Sequence, residues 1–131
     1  MIVVDASCLF EVVIDAPRAE TIRRRLADDH EQAAPHIVDV EVFSLIRRDQ
    51  LAGRLDQTIA ELAVEDLRSW PGERYGHRAL LARAWDLRHT VRGWDAVYVA
   101  LAEVLDATLL TLDHRLANAS GPRCPVEIAA T

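Results

Sequence analysis

The sequence predicts an α/β domain in which helices flank a short, mainly parallel sheet of five strands, or of four. The first residues, Ile2–Val4, form an apolar run that stops at Asp5, as expected of a strand buried on both faces. Another apolar run, 108–112, follows a stretch with helical apolar spacing that contains Trp94, Val97, Tyr98, Leu101 and Leu105. Because strands alternate with helices along the chain, the strands are expected to pair in parallel.

The other elements follow from apolar spacing and from the turn residues between them. Helices are predicted over 6–14, about 19–29, 39–51, 55–69, 77–89 and 114–119. Weaker strand candidates lie at 36–38, 73–75 and 126–128, whereas residues 32–35 are interpreted as a break after a helix. Ile59 and Leu62 are expected to face the core. Trp70, Trp85 and Trp94 are expected to be core residues rather than platforms for base stacking.

Length and composition describe one ordinary globular domain, residues 1–131. Half of the residues are hydrophobic, which suffices for a core without disulfides or structural metal. No apolar run approaches the roughly 18 residues of a membrane span, and the early acid at Asp5 is unlike a signal peptide. Two isolated cysteines, Cys8 and Cys124, are expected to be reduced thiols, so a cytoplasmic location is expected.

The charged residues exclude several classes of function. The formal net charge is −6, so bulk charge does not attract nucleic acid, and all 15 basic residues are arginines. Receiver domains and haloacid-dehalogenase-like phosphatases also place an Asp after the first strand, but both require a lysine, which this chain lacks. The five glycines are scattered, which excludes the glycine-rich loops that bind nucleotides.

Four acids are predicted to meet at one edge of the sheet. Asp5 and Asp113 each follow a strand directly, and open α/β sheets bind ligands beyond the carboxyl ends of their strands. Glu41 and Asp95 lie near the starts of helices and are able to reach the same edge. Each of three acids also has an alternative role when taken alone. Asp95 complements a helix dipole, Asp113 caps a helix, and Glu41 is a solvated helix residue.

A shared acidic site needs a cation to persist. Two carboxylates at close range repel by about 1 kcal/mol in water and by roughly 4 kcal/mol at an effective dielectric near 20. Oxygen ligands without nearby histidine or cysteine favour Mg²⁺ or Mn²⁺ over zinc. The chemistry that such an ion suggests is hydrolysis of a phosphodiester bond, since the cation activates water and neutralises charge on the phosphate.

These segments also resemble a known family. Val4–Ser7, Val40-Glu41, 94–103 and 110–113 are similar to the acidic motifs of PIN-domain ribonucleases and, within them, to the VapC toxins of bacterial toxin–antitoxin pairs. The resemblance implies a three-layer PIN fold, dependence on Mg²⁺ or Mn²⁺, and endonucleolytic cleavage of RNA. It also implies a homodimer or a toxin–antitoxin hetero-oligomer, with a cognate antitoxin that inhibits the enzyme by filling the acidic site with a basic segment.

The resemblance assigns roles to individual residues. The four acids of the family are matched by Asp5, Glu41, Asp95 and Asp113. The match implies that Asp5 and Asp95 are the innermost metal ligands, with the other two at a second ion or a coordinated water. Ser7 and Thr111 match small hydroxyl residues of the family, interpreted as partners that orient the carboxylates.

The chain departs from the family pattern just before Asp95, where Thr90 and Arg92 replace an Asn and a small hydroxyl residue. Arg92 is expected to contact substrate phosphate instead. Arg115 is a second candidate for RNA binding at the rim of the site, with an ordinary surface position as its alternative. A PIN module without catalysis, which acts by binding protein or RNA, is the open alternative to the enzyme. The four retained acids argue against it.

Overall fold

A five-stranded sheet forms the centre of the computed structural model, which describes residues 1–29 and 31–129. The order of its strands across the sheet is β3-β2-β1-β4-β5 when they are numbered along the chain as β1 (Ile2–Val4), β2 (Gln32–Pro35), β3 (Glu73–Tyr75), β4 (Thr108–Thr111) and β5 (Val126–Ile128). All four pairings are parallel. The predicted α/β class is confirmed, and so is the five-stranded version of the sheet.

Helices cover both faces of this sheet. In the described part of the chain there are seven, namely α1 (Ala6–Val13), α2 (Ala19–Ala27), α3 (Ile37–Leu51), α4 (Gln57–Ser69), α5 (Leu81–Asp86), α6 (Gly93–Val104) and α7 (His114–Ala117), with a 3₁₀ turn at Arg78–Leu80. Helices α1 to α4 pack on one another, while α5 packs on α6, which lies against three strands. Since β1 is completely buried, the sheet forms the middle of three layers.

The central strand β1 and its neighbour β4 place two chain segments side by side at one edge. Val4 is in register with Leu110, and the Asp5 N–H donates to the Leu110 carbonyl over 2.9 Å. Asp5 has an extended backbone and is the N-cap residue of α1. The residues that follow β1 and β4 therefore lie next to each other where the chain turns into α1 and α7.

The second strand corrects the sequence prediction. The strand is Gln32–Pro35 rather than 36–38, and α3 already begins at Ile37. Ala33 and Ala34 lack the branched side chains that mark strands, but both are buried where α6 contacts β2. Pro35 is tolerated because the pairing of β2 with β1 ends at Ala33, so no sheet hydrogen bond is lost.

Helix α3 is capped by a side chain from a distant segment. The Ile37 N–H donates to His77 Nε2 over 3.0 Å, and the rings of His36 and His77 meet edge to face. This bond satisfies one of the backbone donors that a helix start leaves without an intrahelical partner. It fixes the start of the helix that carries Glu41.

Several apolar residues lie on the surface, contrary to prediction. Ile59 and Leu62 are exposed on α4, while Ala63 and Leu67 of the same helix are buried. Trp85 and Trp94 are 66% and 63% exposed, so the prediction that they are core residues is wrong, whereas Trp70 packs partly buried against the core. Within residues 1–29 and 31–129, no helix is both long and apolar enough for a transmembrane segment.

Candidate active site

Asp5 is the most buried of the four acids, and two hydroxyl groups fix its carboxylate. Ser7 Oγ and Thr111 Oγ1 donate to Asp5 Oδ2 over 3.0 and 2.6 Å, and Thr111 is itself completely buried. Burial raises the pKa of the Asp5 carboxyl, and the charge of Asp113 adds to the rise, although the two hydroxyl bonds oppose it. The structure thus holds a carboxylate that is costly to ionise in one defined orientation.

The same hydroxyls tie the ends of β1 and β4 together. Ser7 Oγ accepts from the Leu112 N–H over 3.2 Å, and Thr111 Oγ1 accepts from the Asp113 N–H over 3.0 Å. Each hydroxyl therefore donates to Asp5 and accepts from the backbone near Asp113. This arrangement couples the position of one acid to the position of the other.

Glu41 is half-buried and has a partner that the sequence did not reveal. The hydroxyl of Tyr98, a completely buried residue of α6, donates to Glu41 Oε1 over 2.9 Å. Burial and the charges of Asp5 and Asp95, opposed by the Tyr98 bond, together raise the pKa of Glu41 to about 7. Tyr98 belongs to the predicted apolar face of this helix. A buried tyrosine hydroxyl needs a partner, and that need is the signal that could have identified Tyr98 as a partner of one of the acids.

Asp95 and Asp113 lie close together and share one arginine. Arg92 Nε is 3.6 Å from Asp95 Oδ2, and Arg92 Nη2 is 3.6 Å from Asp113 Oδ2. Arg115 Nε lies 3.8 Å from Asp113 Oδ1. Burial raises the pKa of Asp95, as do the charges of Asp5 and Asp113, while Arg92 opposes the rise.

Asp113 also has the alternative role considered from the sequence. It is the N-cap residue of α7, and its Oδ1 accepts from the Arg115 N–H over 2.9 Å. The cap directs Asp113 Oδ1 toward the helix, while Oδ2 of the same carboxylate faces Arg92. The capping role and a place among the acids are therefore compatible.

The four acids lie at one edge of the sheet, but they are not closed around a preformed metal cage. Across residues 1–29 and 31–129, no three His, Cys, Asp or Glu side chains form a group ready to hold a metal ion. The donors nevertheless fit a hard cation, because they are partly desolvated carboxylates. Burial and the charges of neighbouring carboxylates raise the pKa values of Asp5, Glu41 and Asp95. A divalent cation removes this repulsion.

Two cavities adjoin the acids, and Arg92 and Asp95 line both of them. One of about 170 Å³ is lined by Thr90, Asp113 and Arg115, and one of about 280 Å³ by Glu41, Gly93 and Trp94. Larger cavities of about 540 and 460 Å³ lie between α3 and α4 and are lined by Phe43 and Val64. Since none of the four acids lines these larger cavities, the chemistry of the side chains identifies the site better than cavity size.

We expect Tyr98→Phe to raise the pKa of Glu41 above its present value of about 7, because the variant removes a hydrogen bond that favours the carboxylate. The change leaves the ring in place, so the free energy of unfolding should fall by no more than about 1 kcal/mol. Carbon-13 NMR of the glutamate carboxyls during a pH titration measures the shift. Tyr75→Phe is the control, and an unchanged Glu41 titration in Tyr98→Phe contradicts the prediction.

The comparison with protein families agrees with this architecture. The family model described as PIN domain matches residues 2–122. The chain therefore belongs to the PIN-domain family.

Within that family, the chain is most usefully compared with proteins named VapC. It is 43% identical over 119 residues to "Ribonuclease VapC3" of Mycobacterium tuberculosis, with 90% of this chain and 86% of the relative covered. It is 36% identical over 127 residues to "Ribonuclease VapC1" of the same organism, with 96% of each chain covered. These identities place the chain in the VapC group of PIN-domain proteins.

Two solved structures share the fold. The crystal structure of PAE2754 from Pyrobaculum aerophilum aligns with a TM-score of 0.68 at 20% identity, covering 95% of this chain and 81% of that one. The structure of VapBC2 from Rickettsia felis, bound to a DNA fragment from its promoter, aligns with a TM-score of 0.68 at 15% identity, covering 97% and 98%. Both likenesses support the PIN-like architecture described above.

Proposed function

We propose that this chain is a single-domain, metal-dependent endoribonuclease and the toxin of a toxin–antitoxin pair. Relatives named Ribonuclease VapC that are 34–43% identical over most of the chain support the ribonuclease activity. The structural neighbour VapBC2 from Rickettsia felis supports a toxin–antitoxin setting. The observation that carries the proposal is the buried Asp5, whose carboxylate is oriented by two hydroxyls. The charge of Asp113 raises the pKa of Asp5, and the charge of Asp5 raises the pKa values of Glu41 and Asp95.

Asp5, Glu41, Asp95 and Asp113 are the proposed ligands of Mg²⁺ or Mn²⁺. When bound, such an ion supplies Lewis-acid polarisation of the phosphate and lowers the pKa of water. The residues of the chain itself provide the rest. Ser7 and Thr111 hold Asp5, and Tyr98 holds Glu41. Without these bonds the carboxylates would have to be ordered when the ion binds, which lowers its affinity.

Arg92 and Arg115 are the proposed contacts to RNA phosphate. Both side chains are largely exposed, and both lie beside the cavity that Asp95 and Asp113 line. Guanidinium groups suit phosphate because they donate two parallel hydrogen bonds. A local pair of arginines gives RNA a docking point on a protein whose net charge is −6.

A cleavage assay tests the proposed function. Purified protein is incubated with structured and unstructured RNA in Mg²⁺ or Mn²⁺, with EDTA as the control. We expect internal cuts that require the divalent ion and that return when the ion is restored. Cleavage that persists in excess EDTA contradicts the metal-dependent mechanism.

The alternative of a PIN module without catalysis is favoured by one observation, the lack of a preformed three-ligand metal group among the described residues. The two functions differ in their response to Mn²⁺. An enzyme of the proposed kind binds the ion at Asp5 and cuts RNA, whereas an inactive module binds RNA or protein without metal-dependent cuts. Calorimetric titration with Mn²⁺ alone shows whether the ion site exists. If Mn²⁺ binds but no RNA is cut, the correct RNA has not been tested; if Mn²⁺ does not bind, the ion site is missing.

The proposed inhibitor is an antitoxin with a basic segment that fills the acidic site. The excess of four carboxylates over two nearby arginines is the observation that motivates it. A synthetic Arg-rich segment of the antitoxin should bind, and reversal of its charges to Glu should abolish binding. Affinity that ignores this reversal argues against electrostatic inhibition. The proposed homodimer is tested separately by light scattering of the free chain.

We expect Arg115→Ala to weaken RNA binding and to reduce the slope of log affinity against log salt by about 0.7–0.9, as loss of one phosphate contact does. Arg24→Ala on α2 is a matched control, because Arg24 and Arg115 have side chains that are 79% and 80% exposed. Fluorescence anisotropy of labelled RNA over a salt series gives both slopes. Equal slopes for the two variants would show that Arg115 does not contact the RNA.

A further inference from the structure

Trp94 lies on the surface beside the acids, although it is the second residue of the strongly apolar helix α6. Its side chain is 63% exposed, whereas residues 96–102 of the same helix are all buried. The exposed indole offers a large, flat apolar face on which another ring is able to stack. Trp94 lines a cavity together with Glu41 and Asp95, so it adjoins the candidate active site.

The two cavities of the site differ in what they are able to hold. Both include Arg92 and Asp95, so they share a wall. The cavity of about 170 Å³ carries a second guanidinium, Arg115, and suits a phosphate group. The cavity of about 280 Å³ has Trp94 and Glu41 instead. Each cavity has two carboxylates, but the smaller one balances them with two arginines and the larger one with Arg92 alone. The larger cavity is therefore the less favourable place for a phosphate, whereas a flat, uncharged ring is able to pack on its indole.

We propose that Trp94 is a stacking site for an unpaired nucleobase next to the phosphate that is cut. The proposal rests on the proposed ribonuclease function and adds a residue that positions the substrate, since Trp94 would contact a base that is unpaired at the cleavage site. Every base has an aromatic face, so a stacking platform accepts unpaired bases with little sequence preference. A base within a duplex is stacked on its neighbours and is not available to the indole.

Binding without cleavage tests this site. The Asp5→Asn protein is titrated in Mg²⁺ with labelled oligoadenylate, and with an oligomer of equal length made of abasic ribose phosphates. Adding Trp94→Ala should weaken binding of oligoadenylate about five- to a hundredfold and leave the abasic oligomer unaffected. Trp94→Phe should restore most of the affinity. Trp85→Ala is the matched control, because Trp85 is 66% exposed on another helix and lines neither cavity of the site.

Three results overturn the proposal. The first is equal loss of affinity for both oligomers, which indicates a general disturbance of the site. The second is unchanged RNA binding with a smaller assembly by light scattering, which makes Trp94 an interface between copies of the chain. The third is unchanged RNA binding with weaker binding of an oligoarginine peptide, which makes Trp94 a contact for a basic partner segment instead of RNA. Cleavage by the wild-type protein is scored separately, so failure of the stacking site and failure of the ribonuclease function remain distinct.

Discussion

Asp5→Asn is expected to reduce metal-dependent RNA cleavage by at least about a thousandfold, which corresponds to ~4 kcal/mol of lost transition-state stabilisation. The amide has nearly the shape of the carboxylate but no charge, so it weakens the hold on a divalent ion. The hydroxyls of Ser7 and Thr111 are able to donate to the amide oxygen as they do to Asp5 Oδ2. Since burial makes the ionised Asp5 costly, the variant should be as stable as the wild type or more stable at neutral pH.

A second buried acid provides the control. Asp49 on α3 accepts hydrogen bonds from Arg48 and Arg54, which outweigh the effect of burial and lower its pKa. Asp49→Asn should therefore reduce stability and leave the rate of cleavage unchanged, the reverse of Asp5→Asn. Rates come from gel assays and stabilities from urea unfolding. The assignment of Asp5 as a metal ligand is contradicted if the Asp5→Asn variant cleaves RNA at the wild-type rate. It is also contradicted if Asp5→Asn and Asp49→Asn lose the same fraction of that rate.

The position of Asp5 and Asp113 at the carboxyl edge of the sheet could be predicted from the sequence, because that prediction does not depend on the order of the strands. An acid that directly follows a buried parallel strand lies at the carboxyl edge of the sheet whichever strands are neighbours. The structure adds the register, in which Val4 pairs with Leu110, and this brings Thr111 to within 2.6 Å of Asp5. Register depends on the packing of the whole sheet and is not encoded in either strand alone.

The errors arose where tertiary contacts decide the outcome. Ala33 and Ala34 form a strand because β1 and β3 pair with them and α6 needs small residues below it, not because of their own propensity. For Trp94, helical spacing shows that a residue is apolar but not that another element covers it. The bond between Tyr98 and Glu41 joins residues 57 positions apart, and only the tertiary fold brings them together.

In the absence of divalent cations, the protein is expected to lose stability as the pH rises from about 4.5 to about 7. Glu41 has a pKa of about 7 in the folded state against 4.5 for the free side chain. In this range the folded state therefore binds more protons than the unfolded state, so the free energy of unfolding decreases with pH. The full difference corresponds to at most about 3 kcal/mol, and partial solvent exposure reduces it to about 1–2 kcal/mol. Asp5 and Asp95 act in the same direction.

Calorimetry at pH 5 and pH 7.5, in EDTA and in Mn²⁺, measures this effect. At pH 7.5 and a hundredfold excess over its Kd, the ion should raise the free energy of unfolding by about 2.7 kcal/mol, and the midpoint temperature with it. The increase should be much smaller at pH 5. Glu41→Gln should remove most of the pH dependence seen in EDTA, and Glu61→Gln on exposed α4 should not. Comparison of the two variants cancels the titration of histidines, which all of these proteins share. The prediction is contradicted if stability in EDTA rises with pH, or if Mn²⁺ has an equal effect at both pH values. Either result would mean that ionisation of these acids does not create the cation site.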